Sequence, residues 1–206
     1  MKTTLQTKAG VIADVRRLQY FYALKREIRY KFSRTTSDFS ESVAEHVFGM
    51  HVVATHFLPL ENPKRTWDRC KIFELITWHD IDEIETGDTI SWKRTAADHK
   101  AEAEALTQVL LNLPEAIRTH TEQLLSEYQA QKTPEATFVK AIDKLEPLVH
   151  LYNDEGRELC QSLGLTLENS EKIKVPYMID FPVIRHYKDI LHECMDDEGF
   201  FISGEH

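Results

Sequence analysis

The sequence predicts an all-α fold. Only seven glycines and seven prolines punctuate its 206 residues. Long stretches are dominated by Leu, Glu, Ala and Lys, which enter helices at little cost, and apolar side chains recur at intervals of three and four rather than two. One domain with a good-sized core is expected over residues 1–206, with a helical core at about 11–153 and a helical extension at 154–206.

Residues 11–29 read as a first helix, with Val15, Leu18, Phe21, Tyr22 and Ile28 on its apolar side, and residues 33–40 as a polar loop. Ser42-Val43-Ala44-Glu45 fits the capping box, in which a serine oxygen and a glutamate side chain satisfy the first backbone donors of a helix. A second helix is expected from there to about Leu58, stopping before the 59–63 stretch with its two prolines. Residues 67–85 form an expected third helix, closed by Thr86-Gly87-Asp88. Residues 96–113 follow, then 115–131 after Pro114. Thr133-Pro134-Glu135 opens a helix running to about Asn153, with proline in its first turn as helices prefer. In the tail a turn is expected around Gly164, a loop at 174–176 and a last helix at 181–195.

The net charge of -9 repels polyanions, and no run of Lys and Arg is long enough to track a phosphate backbone, so nucleic-acid binding is not expected. A small anionic substrate remains compatible with an acidic surface, because a metal and one or two local cations set the potential inside a pocket. Cys70, Cys160 and Cys194 are far apart, odd in number and without C-x-x-C spacing, so they read as reduced thiols. With no signal-like start and no membrane-length apolar run, a cytoplasmic protein is expected.

Some residues sit oddly in a plain bundle. At 100° per residue, Val43, Val47, Met50, Ala54 and Phe57 share one stripe of the second helix, and His46 lies on its edge. A core hydrogen bond would explain His46 alone as readily as a metal. On the third helix, Ile72, Ile76, His79 and Glu83 share the buried side, with Asp80 at the flank. Burying an unpaired carboxylate costs several kcal/mol, so His79, Asp80 and Glu83 together call for a compensating cation. A divalent transition metal suits imidazole and carboxylate ligands, and a salt-bridged helix pair is the competing reading. Asp143 lies off the stripe of Phe138, Ile142, Leu145 and Val149, so periodicity alone reads it as solvated.

His46, His79-Asp80 and Asp143, in that order, resemble the H…HD…D signature of the HD-domain phosphohydrolases, over about residues 18–153. Three segments resemble the bacterial 5'-deoxynucleotidases and their eukaryotic relatives: Leu24-Lys25-Arg26-Glu27-Ile28-Arg29-Tyr30, Glu41-Ser42-Val43-Ala44-Glu45-His46, and His79-Asp80-Ile81-Asp82-Glu83 with Thr86-Gly87-Asp88. The resemblance implies an orthogonal multi-helix fold, a homodimer, and hydrolysis of (deoxy)ribonucleoside 5'-monophosphates with one divalent ion, whether Mn, Co, Mg, Zn or Fe. It implies His46, His79, Asp80 and Asp143 as metal ligands, Glu83 as the catalytic glutamate, Arg29 at the phosphate and Asp88 at the sugar. Tyr30 stands where the bacterial enzyme has a tryptophan that helps exclude a ribose 2'-hydroxyl, and the loop between Arg29 and His46 looks longer, which leaves sugar discrimination open. Lys93 and Arg94 read as a solvated pair. Two alternatives stay open: a two-metal site recruiting His99 and His120, and a non-catalytic nucleotide-binding regulator.

Overall fold

The computed structural model describes residues 22–29, 41–88 and 95–203, together with 17, 20, 90 and 93. Its elements are helical: a 3-10 turn over Tyr22–Lys25, then α1 (Val43–Glu61), α2 (Arg69–Trp78), α3 (Glu83–Thr86), α4 (Ala96–Asn112), α5 (Glu115–Ala130), α6 (Pro134–Leu151), α7 (Asp154–Ser162), α8 (Leu167–Lys174), a 3-10 turn at Val175–Tyr177, and α9 (Pro182–Asp197). No strand occurs among the described residues, where Ile28 and Ser42 form an isolated antiparallel bridge. No helix among them is long and apolar enough to cross a membrane.

The hub is α6, which packs against α1, α2, α5, α7, α8 and α9. Its N-terminus is held by Thr133, whose hydroxyl accepts from the Ala136 amide at 3.3 Å. The main core lies where Met50, Ala54 and Phe57 of α1 meet Ile72 and Ile76 of α2 and Phe138, Ile142 and Leu145 of α6. A second cluster joins Leu148 and Leu151 to Leu159, Leu165, Met195 and Phe200, and so fastens the tail to the end of α6. Because neighbours surround α6, its burial is not one stripe. Asp143 and Glu146 are buried, and Val149 is half exposed.

Several expected boundaries move. Nine of residues 11–29 lie outside the described residues; Arg17 and Tyr20 are helical, but the helical turn ends at Lys25 and Ile28 bridges to Ser42. There the Arg29 amide donates to Glu41 at 3.1 Å, and the Glu27 carbonyl accepts from Val43 at 3.0 Å. These bonds divert the segment into pairing with the start of α1. At the other end α1 continues through Pro59 to Glu61. The amide a proline lacks would have bonded the Thr55 carbonyl, and Thr55 is on the exposed side, where water can serve it.

The expected helix over 67–85 is broken after Trp78. In a continuing helix the Ile76 carbonyl would accept the Asp80 amide; here it stands 2.9 Å from His79 Nδ1. The chain tightens into three-residue turns, Ile81 bonding to Trp78 and Glu83 to Asp80, both at 3.2 Å. The tail, expected as a helical extension, carries two short helices, α7 and α8, whose bounds were not expected. Each is too short for periodicity to reveal, although each has its cap, Asn153 accepting from Gly156 at 2.8 Å and Thr166 from Asn169 at 3.1 Å.

Candidate functional site

Each histidine of the site is set by a local device. The capping box forms as expected, the Ser42 amide donating to the Glu45 carboxylate at 2.6 Å and the Glu45 amide to the Ser42 hydroxyl at 3.3 Å. It fixes the first turn of α1 so that the next side chain, His46, is fully buried. His79 ends α2, and its contact with the Ile76 carbonyl assigns the ring tautomer: a carbonyl only accepts, so Nδ1 carries the proton and Nε2 presents a lone pair. Both Nε2 atoms are buried and make no hydrogen bond.

What surrounds those two nitrogens is carboxylate. One oxygen of Asp80 lies 3.0 Å from His79 Nε2 and 3.9 Å from His46 Nε2, and Asp143 Oδ1 lies 3.6 Å from His46 Nε2. The donor atoms of His46, His79 and Asp143 all fall within 4.8 Å of one another. Ligands about 2.1 Å from a common ion stand roughly 3.0–3.4 Å apart at octahedral or tetrahedral angles. These atoms therefore converge on a point, as ligands do, without bonding each other. The other Asp143 oxygen is held at 3.1 Å by both Lys140 and Lys144, which leaves Oδ1 turned to the histidines.

Sequence reasoning missed Glu146. Its carboxylate lies 2.7 Å from His46 Nδ1, which Arg29 NH1 also approaches at 3.0 Å; with the shorter contact made by Nδ1–H donating to the carboxylate, Nε2 is left as the ligating atom. Such carboxylate partners orient metal-bound histidines generally. Space for it comes from Gly49, where a Cβ would stand 2.5 Å from Glu146 Oε1. The available signal was spacing, since Glu146 lies three residues after Asp143 and so shares its side of the helix. Arg29 completes the group, with NH1 2.5 Å from Glu41 and 3.6 Å from Glu146. Glu41, Glu146 and His150 are also close enough to share a cation, and the Arg29 guanidinium already supplies that charge.

The electrostatics divide the carboxyls. Burial opposes ionisation of Asp80, but the His79 imidazole beside it overrules burial and holds the carboxyl well below the usual range. Asp143 is likewise held low against burial, by Lys144 and Lys140 first. Glu83 goes the other way: burial, then the charges of Asp80 and Asp88, lift it well above the usual range, against the opposing pull of Arg29. Burial and Arg29 disfavour protonated His46, yet Glu146 and Asp143 outweigh them and raise it to about 9.

The cluster thus gathers His46, His79, Asp80 and Asp143, which reverses the solvated reading of Asp143. Glu83 shares a pocket with His79 and Asp80, while Arg29 and Asp88 share a cavity with Asp143. Tyr30 and Arg94 lie outside the described residues, as does the side chain of His99, and Lys93 is exposed. His120 is an exposed residue of α5 paired with Glu74 at 3.1 Å, away from this cluster.

A family model for the HD domain matches residues 21–182. The human 5'-deoxynucleotidase HDDC2 is 32% identical over 120 residues, covering 57% of this chain and 56% of that protein. Its Mus musculus counterpart is 31% identical over 137 residues, 66% of each. The 5'-deoxynucleotidase hdd1 of Schizosaccharomyces pombe is 30% identical over 123 residues, covering 57% of this chain and 60% of that protein. These matches span less than two thirds of the length of the curated relatives. Among solved structures, a protein from Magnetospirillum magnetotacticum MS-1, described as a predicted metal-dependent phosphohydrolase, superposes with a TM-score of 0.77 at 25% identity, covering 94% of this chain and 96% of that one. With the family model running from the 3-10 turn to the start of α9, on a fold that gathers the histidines and aspartates of the signature, this chain belongs to the HD-domain family.

Proposed function

We propose that the chain is a metal-dependent phosphomonoesterase that hydrolyses (deoxy)ribonucleoside 5'-monophosphates to nucleoside and phosphate. The observation that carries this reading is the pair of buried, unbonded imidazole nitrogens facing two ionised carboxylates, in a chain whose relatives are named 5'-deoxynucleotidases. His46, His79, Asp80 and Asp143 would hold one divalent ion. Mixed imidazole and carboxylate ligation accepts Mn, Co, Mg, Zn or Fe. When bound, such an ion acidifies a water and stabilises charge on a phosphoryl oxygen.

The side chains do the rest. Arg29, held against Glu41 and beside Glu146, presents a guanidinium for charge-assisted contact with the phosphate. Glu83, whose carboxyl is raised by burial and by the charges of Asp80 and Asp88, delivers a proton to the leaving 5'-oxygen or orients the attacking water. Asp88, buried on the cavity it shares with Arg29, accepts a hydrogen bond from a sugar hydroxyl, and the resemblance adds Tyr30, outside the described residues, to the substrate-binding set. The protein acts as one domain with a helical extension, as a cytoplasmic homodimer, without nucleic-acid or membrane partners.

The test is a substrate panel: deoxyribo- and ribonucleoside 5'-monophosphates, 3'-monophosphates and a generic phosphate ester, each with Mn, Co, Mg and Zn. Phosphate release from 5'-monophosphates is expected, and release from none would favour a nucleotide-binding regulator. Metal content near one ion per chain is expected, whereas two would favour the two-metal alternative.

A pH dependence follows from His46. Its imidazolium, raised to about 9 by Glu146 and Asp143, must lose the Nε2 proton before ligating, so metal binding near neutrality releases a proton. Affinity should therefore tighten as pH rises and level off near pH 9. Calorimetry in buffers of different ionisation enthalpy measures the proton count, and a count of zero at pH 7 would contradict the assignment of His46.

A further inference from the structure

The helices of the tail bring a lysine to the cavity that Arg29 and Asp88 share. Lys174 ends α8 and is only 5% exposed. It lines the cavity together with Arg29, Asp88, Asp143 and Lys144, while apolar side chains such as Leu148 and Met195 line the remainder. Its ammonium donates to the Lys144 carbonyl at 2.8 Å. No carboxylate pairs with it among the described residues.

A buried ammonium served by one carbonyl is costly, since burying an ion without a counter-charge costs several kcal/mol. Burial first, then the charge of Lys144, accordingly lowers its pKa to about 7. If Lys174 only tethered α8 to α6, a neutral amide would do as well. The position instead supplies a third cation beside Arg29 and Lys144, next to a carboxylate of the metal cluster. A small cavity lined by three cationic side chains suits an anionic group such as a phosphate.

We propose that Lys174 is a substrate-binding residue that contacts the phosphate of the nucleoside monophosphate, so that the tail is part of the substrate site. This inference rests on the nucleotide reading above. Lys174 does not take part in bond cleavage; an incoming phosphate supplies the counter-charge that the fold withholds.

The test compares Lys174→Gln, Lys174→Met and Lys174→Arg in the full chain with manganese bound. Gln keeps a donor for the Lys144 carbonyl but removes the charge, Met removes both, and Arg keeps the charge. Calorimetric affinity is measured, with each variant and its reference also carrying Glu83→Gln so that the ligand is not turned over, for a deoxynucleoside 5'-monophosphate and for the same deoxynucleoside without phosphate. A lost charge-assisted contact is expected to weaken the monophosphate about tenfold in Gln and Met, to leave the deoxynucleoside within about twofold, and to be largely restored by Arg. With Glu83 intact, KM should rise with the dissociation constant while kcat stays within about threefold. Wild-type affinity in Lys174→Gln, or equal weakening of both ligands, would overturn the proposal in favour of a tether. Because binding is read apart from turnover, a wild-type protein that binds the monophosphate without cleaving it would remove the enzymatic reading and leave the assignment of Lys174 standing.

Discussion

Glu83→Gln is expected to retain the metal and to lose between about a hundredfold and ten-thousandfold in kcat, the range a positioned acid or base supplies. The substitution keeps the shape of the side chain and removes only its proton chemistry. Glu83 differs from the neighbouring aspartates in the direction its environment pushes it. Burial and the charges of Asp80 and Asp88 keep its carboxyl protonated to higher pH, whereas Asp80 and Asp143 are held ionised. Two kinds of carboxyl side by side divide the labour, those held low for a cation and the one pushed up for proton transfer. Phosphate release with metal content measured on the same sample checks this. Turnover within about fivefold of wild type would remove Glu83 from its role, and loss of metal would make it part of the ligand set.

Glu146→Gln is expected to weaken metal affinity by about ten- to a hundredfold without touching a ligand, as loss of a histidine's carboxylate partner does. Asp80→Ala, which removes a ligand, should abolish stable binding. The more discriminating variant is Gly49→Ala. Its Cβ would stand 2.5 Å from Glu146 Oε1, so the carboxylate must move and His46 loses its orientation, although residue 49 touches neither metal nor substrate. Chelator competition gives the affinities, and circular dichroism of each variant shows whether the helices persist. If Glu146→Gln and Gly49→Ala both bind metal as wild type does, the bond between His46 and Glu146 is structural and does not set the ligand.

Much of this was legible along the chain. The box around Ser42 and Glu45 marked the start of α1 and so the inward direction of His46. Shared facing of Ile72, Ile76, His79 and Glu83 survived the break in the helix, because tight turns between Trp78 and Glu83 preserve the rotation approximately. The break itself was not legible, since a side chain competing for a backbone carbonyl leaves no mark in apolar spacing. Nor was the burial of Asp143, because a one-stripe picture supposes a helix resting on a single flat neighbour.

By itself, then, the sequence determined the helical class, the caps and the order of two histidines and two aspartates, all of which depend on neighbours within a turn or two. Only tertiary structure decided that α6 is surrounded, that Glu146 meets a histidine 100 residues away through the gap left by Gly49, and that the tail returns Lys174 to the cavity beside Asp143. The physical reason is that hydrogen bonds and burial between distant segments are settled by how helices pack, and packing has no period along the chain.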